Sequence, residues 1–325
     1  MTVAATPEGW DEGVQSLHGH FLQSRAWARV QRRLGNRVVV GADRDWCWLG
    51  VVRRAGPFRY LYLPFGPSLR TPAALPAAIA LARGRAFAMG CAFVRFEPGD
   101  VDPDAVAATG ARRVHTRQYE HTLVLRLDVD EATLRRGLRS GHRSGINSAE
   151  RRGISVERSN DPARMADFTR LLRQTEQQRG FFSFEDGYFD AIAGELLAGG
   201  DATLYFAHAE RSIVAAALVF DFGSTRYYAF GATATGSRKL APGPPLVWRS
   251  ILDARDAGST RFDLWGVAPP DAPADHPWTG ITAFKSGFGG EPRSYAGTWE
   301  VTVRPMAARL FAIADSVRRR ARRAG

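Results

Sequence analysis

ATLYFAHA at Ala202–Ala209, IVAAALVFDF at Ile213–Phe222 and TRYYAF at Thr225–Phe230 are the runs whose reading decides the fold. Each is short, apolar and rich in β-branched or aromatic residues, and Gly223-Ser224 between the last two reads as a hairpin turn. Leu246–Ala257 follows with helical spacing and stops at Gly258. Arg261–Leu264 then reads as a strand running into Gly266. Neighbouring strands followed by a helix and one more strand predict an α+β unit with α/β-type layers.

The pattern recurs toward the N-terminus. Phe21–Leu34 reads as a helix, with Trp27, Val30 and Leu34 on one face and Arg29, Arg32 and Arg33 on the other. Val38–Val40, Trp46–Arg53 and Tyr60–Leu63 read as strands, Leu75–Ala88 as an Ala-rich helix, and Ala92–Phe96 and Leu123–Leu127 as strands. Between the two halves Glu131–Arg152 reads as one very basic helix. Asp161, followed by Pro162, caps a helix to about Arg179. Tyr188–Ala198 reads as a helix, Trp299–Val303 as a strand, and Ala307–Arg323 as a final helix.

At 325 residues the chain exceeds one ordinary core, so two domains are expected. Cys47 and Cys91 are too few for a disulfide framework and lack metal spacing, which fits a reducing, cytoplasmic setting. No stretch approaches the ~20 apolar residues that span a bilayer. The net charge of +11 favours a polyanionic partner such as RNA, a nucleotide or an anionic membrane, although GC-rich coding, visible in the abundance of Ala, Arg, Gly and Pro, explains it equally well.

Of 44 basic residues only Lys239 and Lys285 are lysines. In such a background a surviving lysine marks a place where a compact ammonium does what a planar guanidinium does not. Lys285 lies in Ala283-Phe284-Lys285-Ser286-Gly287-Phe288-Gly289-Gly290. Its glycines admit a ligand or another backbone, and its lysine suits a phosphate or a developing oxyanion. A surface lysine ahead of a turn has the same signature. Arg135, Arg136, Arg139, His142, Arg143, Arg151 and Arg152 recur at helical spacing, which suits a phosphate backbone or simply a solvated face. The tail from Arg304 to Arg323 is basic with an apolar side, and suits RNA, an anionic bilayer or packing on the first domain. Glu97, Asp221 and Asp263 sit near predicted strand ends, where a carboxylate serves structure or accepts a proton. Walker, HExxH, CxxC, GxSxG and helix-opening GxGxxG patterns are missing, so hydrolase, metalloenzyme and dinucleotide readings have no support.

Several segments taken together resemble the Fem family of aminoacyl-tRNA-dependent peptidyltransferases. They are Phe21-Leu22-Gln23-Ser24 with Trp27, Leu63-Pro64-Phe65-Gly66-Pro67, Arg95-Phe96-Glu97-Pro98, Arg143 with Ile146–Gly153, and Gly187-Tyr188-Phe189. The series continues through Tyr227–Ala232, Trp248 with Ile251 and Ala254, Phe262–Gly266, and Phe284-Lys285 with Phe288-Gly289. The resemblance implies two GNAT (acyl-CoA N-acyltransferase)-like domains in tandem: 1–127 plus 298–325, and 128–297. It implies transfer of an amino acid from aminoacyl-tRNA to an amine. Phe284-Lys285 matches the pair near the terminal adenosine and the reacting ester. Tyr228 matches a tyrosine of the binding cleft, Tyr188 the tyrosine of the acceptor-binding stretch, and Glu97 an acidic residue facing the cleft. Trp27 belongs to the same acceptor region.

Two departures bear on the acceptor. Phe184 stands where members that bind a nucleotide-linked wall precursor carry arginine, and a phosphate-holding lysine is replaced by Arg29 or Gln31, depending on alignment. Lost basic groups weaken a grip on diphosphate. The expected acceptor is therefore a peptide or peptidyl-nucleoside natural-product intermediate. The alternatives are a peptidoglycan precursor peptide, an acyl-CoA-dependent N-acetyltransferase, for which Gly231–Gly243 is a poor pyrophosphate loop, and a non-catalytic RNA-binding protein. In the expected reaction Lys285 stabilises the oxyanion or the terminal phosphate and Glu97 orients the amine. Arg135, Arg136, Arg139, Arg143, Arg151 and Arg152 hold the tRNA. No metal or other cofactor is required, and the protein is a cytoplasmic monomer.

Overall fold

The computed structural model describes residues 6–179 and 187–324. The chain divides into two compact units, Met1–Glu120 with Tyr295–Gly325 and His121–Ser294. The first opens with α1 (Trp10–Ser16) and α2 (Arg25–Arg33), followed by β1 (Arg37–Asp43), β2 (Trp46–Ala55), β3 (Phe58–Leu63) and β4 (Ser68–Leu69). It continues through α3 (Leu75–Ala88), β5 (Phe93–Phe96), α4 (Pro103–Ala107) and β6 (Arg112–Arg113). The second holds β7 (His121–Arg126), α5 (Glu131–Gly137), α6 (Ser140–Asn147), β8 (Ile154–Ser159), α7 (Met165–Arg179) and α8 (Tyr188–Ile192). Then come β9 (Ala202–Ala209), β10 (Ser212–Phe222), β11 (Thr225–Thr233), α9 (Gly243–Asp256), β12 (Arg261–Gly266), α10 (Thr279–Ser286) and β13 (Glu291–Ser294). The chain returns to the first unit as β14 (Trp299–Thr302) and α11 (Pro305–Ala324).

Among the described residues each unit forms one seven-stranded sheet. The first has the order β1-β2-β3-β5-β14-β6, with β4 beside β2, and the second β13-β7-β12-β11-β10-β9-β8. Both are antiparallel except at one pair, β3 with β5 and β11 with β12. A helix links the strands of each parallel pair, α3 in the first unit and α9 in the second, because parallel neighbours need a long crossover. The two halves therefore share the meander, helix and returning strand expected from their sequences. β10 is buried along most of its length, so its run of apolar residues has no polar alternation. Ala78, Ala82 and Ala86 let α3 approach the first sheet, and the aliphatic face of α9 covers the second.

Three sequence expectations change. The division falls at Glu120/His121 and Ser294/Tyr295 rather than at 127/128 and 297/298. The cause is pairing: β7 bonds to β12 and β13, so the strand expected to close the first domain belongs to the second. The basic stretch 131–152 is not one helix. Leu138 leaves helical geometry at ψ 136, its side chain is buried, and a new helix starts after Arg139. Phe21–Leu34 is likewise a 3-10 turn at Phe21–Gln23 followed by α2, which Ser24 caps by accepting from the Trp27 amide at 3.0 Å.

Candidate active site

Lys285 lies in the last turn of α10, ahead of the glycines rather than among them. It is 4% exposed, and its Nζ donates to the Gly266 carbonyl at 2.7 Å and lies 5.8 Å from the Tyr228 ring centroid. Burial pulls its pKa down from 10.5 to about 7, opposed by the charge of Asp263. An amine poised there exchanges its proton near neutrality, and its cationic form offers further donors beyond the one spent on Gly266.

The Gly266 carbonyl is aimed by a local distortion. The register of β12 against β7 shifts between Asp263 and Gly266, and Trp265 adopts φ 62, costly for a bulky side chain. Asp263 holds this turn by accepting from the Trp265 amide at 2.7 Å. Thr122 donates to Asp263 and lies 3.0 Å from the Trp265 carbonyl. Burial raises the Asp263 pKa, with the bonds from Thr122 and Trp265 and the charge of Lys285 pulling against it. Burial likewise pushes the Tyr228 hydroxyl well above its ordinary range, so this ring is a wall beside the lysine and not a proton carrier.

The glycine segment has a packing role. A Cβ on Gly287 would meet the His142 ring at 2.2 Å. Gly289, at φ 83, passes the Gly137 carbonyl, and Gly290, at φ 95, passes the Val124 backbone. The Arg139 amide donates to the Gly287 carbonyl at 2.9 Å. The segment after Lys285 thus docks on the break between α5 and α6. The His142 ring lies tilted to Phe284 at 5.3 Å and edge-on to Phe288 at 4.5 Å, and burial lowers its pKa. The sequence showed His142 only as one more basic position, because its partners lie far away in the chain.

The predicted RNA-holding arginines separate into two groups. Arg143 donates to the Leu138 and Arg136 carbonyls, closing the end of α5, and Arg152 donates to the Gly145 and Ser148 carbonyls. Arg135 bonds Glu131 and Asn147 and stacks over Trp248 at 5.4 Å. These three serve the fold. Arg136, Arg139 and Arg151 have exposed side chains, as does Arg143, and Arg136 donates to the Thr133 hydroxyl at 2.7 Å.

Glu97 belongs to the first unit and is 5% exposed. Its oxygens accept from the Tyr62 hydroxyl at 2.9 Å, Thr298 at 2.9 Å, and the amides of Phe65 at 3.2 Å and Gln118 at 3.1 Å. Burial raises its pKa to about 7 despite these donors. Its oxygens tie Phe65, at φ 46, to Thr298 just ahead of β14 and to the segment after β6. Trp27 is buried beside Phe21 at 6.0 Å. Gln31 is turned inward and accepts from Asn36 at 3.0 Å, whereas Arg29 is exposed, so only Arg29 of that pair faces outward. Tyr188 is half-buried at the start of α8, its ring 6.4 Å from Phe230. Phe184 lies outside the described residues. Asp221 pairs with the buried Arg226 at 2.6 Å. A cavity of about 380 Å³ in the first unit, lined by Arg95, Arg112, Arg113, His115, Arg117 and Phe311, contains none of the predicted site residues.

Residues 135–285 match a family described as an acetyltransferase (GNAT) domain. A lipid II:glycine glycyltransferase of Staphylococcus saprophyticus is 22% identical, over 83% of this chain and 85% of that protein. The Staphylococcus aureus protein of the same name is 22% identical over 53% of this chain and 56% of its own length. Among solved structures, FemX covers 95% of this chain and 98% of its own at a TM-score of 0.81 and 19% identity. A tandem GNAT protein from the clavulanic acid biosynthesis pathway covers 93% and 97% at 0.57 and 14% identity. At such identities the structural likenesses establish the fold.

Proposed function

Because this chain belongs to the Fem family and carries two GNAT-type domains in tandem, we propose that it moves an amino acid from aminoacyl-tRNA to an amine of a peptidoglycan precursor peptide. The observation that carries the chemistry is the buried Lys285, held against Gly266 and beside Tyr228 with a pKa of about 7. The names of the relatives favour the wall peptide over the natural-product intermediate expected from the sequence. Phe184 remains the observation on the side of the natural product.

In the proposed reaction the neutral acceptor amine attacks the ester carbonyl. A C–N bond forms, the carbonyl oxygen gains charge, and the C–O bond to ribose breaks. The amine loses a proton and the departing ribose oxygen takes one up. An oxygen ester is already activated, so positioning supplies much of the rate and no metal or organic cofactor is called for. The Lys285 ammonium stabilises the developing oxyanion or the terminal phosphate. Arg136, Arg139 and Arg151 hold the acceptor stem through its phosphates, without reading sequence.

The test is transfer from a panel of charged tRNAs to wall-precursor peptide, with the wild type and Lys285→Ala. The expected loss is about 100-fold in rate, the scale of removing one oxyanion donor. An unchanged rate removes Lys285 from the mechanism. Transfer from acetyl-CoA, with none from any charged tRNA, overturns the donor.

A further inference from the structure

α11 is apolar on two faces. Its inner side places Phe311, 4% exposed, against Tyr60 and Phe93, with Ala307 and Ala308 packed alongside. Its outer side carries Met306, Leu310 and Ile313, which are 71%, 54% and 61% exposed. At 100° per residue these three fall within about 60° of one another, centred about 130° round the helix from Phe311. An ordinary surface helix turns that side polar. Arg309 flanks the stripe and is exposed. At the start of the helix Arg304 lies over Phe87 at 4.6 Å, and Phe87 is itself 59% exposed. The sequence of α11 adds Arg318, Arg319, Arg320, Arg322 and Arg323 against a single acid, Asp315.

We propose that α11 docks its outer face on the surface of an anionic lipid bilayer. The apolar stripe chooses among polyanions: a phosphate backbone gives Met306, Leu310 and Ile313 nothing to bury against, whereas the headgroup–acyl boundary accepts such a face to a depth of about 5–10 Å. Charge favours an anionic surface over a second copy of the chain, whose α11 carries the same excess of arginines in its sequence. Against an anionic leaflet the same arginines are attracted within a Debye length of about 8–10 Å. The contact is peripheral, because no helix among the described residues is long and apolar enough to cross a membrane. It is independent of the transfer reaction: it uses the first unit's exposed helix and none of the residues around Lys285.

The experiment is co-sedimentation of the full chain with phosphatidylcholine vesicles, with and without phosphatidylglycerol, at low and high salt. The wild type is expected to bind the anionic vesicles, more weakly in salt. Leu310→Asp with Ile313→Asp is expected to lower the partition coefficient at least about tenfold. Met306→Ser with Ile313→Ser does the same without adding negative charge, and circular dichroism checks that both variants are folded. Absence of wild-type binding to phosphatidylglycerol vesicles overturns the proposal. So does unchanged binding of both folded double variants, which would assign the attraction to arginines elsewhere. Light scattering that finds a dimer broken by these substitutions also overturns it, by giving the stripe to a second copy.

Discussion

Replacing Lys285 with methionine should stabilise the protein and, on the proposed function, lower the transfer rate about 100-fold. The lysine is buried with a pKa of about 7 instead of 10.5. At about 1.4 kcal/mol per tenfold change in ionisation constant, the charged form costs about 5 kcal/mol in the fold. Methionine removes that cost and keeps the length of the side chain, but it strands the Gly266 carbonyl, a loss of about 1–3 kcal/mol. The net gain at about pH 6 is therefore about 3 kcal/mol. The sign depends on pH. Between about 7 and 10.5 the unfolded lysine holds a proton that the folded one has released, so wild-type stability rises with pH across that window. Urea unfolding followed by tryptophan fluorescence should find Lys285→Met more stable at about pH 6 and less stable at about pH 10.5, the gap moving by about 5 kcal/mol. A gap that stays constant with pH would refute the claim that this lysine titrates near neutrality inside the fold.

Two further substitutions address the frame around the site. Glu97→Gln should remove a pH dependence of opposite sign: a carboxyl raised from 4.5 to about 7 stabilises the fold below 4.5 and loses that contribution, about 3 kcal/mol, as pH rises through 7. Unfolding curves at several pH values check this, and parallel profiles for the two proteins would count against it. Gly287→Ala should cost about 1–3 kcal/mol, because its new methyl meets the His142 ring, and His142→Ala in the same chain should recover most of that loss. Additive losses in the double-mutant cycle would show that the two do not touch.

Much of the fold was legible because it rests on local signals. Strands β9 to β11 announced themselves by composition and by the Gly223-Ser224 turn, and α3 runs over Leu75–Ala88 as its Ala-rich composition predicts. What escaped depends on partners remote in sequence. Leu123–Leu127 looks like a strand from any side, and only its bonds to β12 and β13 decide which unit owns it. The basic stretch has helical spacing throughout, yet it breaks at Leu138, which is buried where residues 287–290 dock. Charge spacing could not separate Arg143 and Arg152, which bond carbonyls, from Arg136, Arg139 and Arg151. Lys285 was found by the scarcity of lysine, but its low pKa could not be, since that comes from burial beside Gly266, Asp263 and Tyr228. Glu97 was singled out for its place after a strand, and its partners Tyr62, Thr298 and Gln118 turn it inward.

The seam between the glycines and the α5–α6 break sets a rule for recombining such enzymes. Gly287 under His142, Gly289 beside Gly137 and the Arg139 amide on Gly287 make two distant stretches of chain one mating surface. A chimera that imports a relative's basic segment while keeping the native residues 284–290 joins two halves shaped for different counterparts. The unit of exchange is the pair of stretches together, and a swap of either alone should damage the lysine's setting before it alters what the protein recognises.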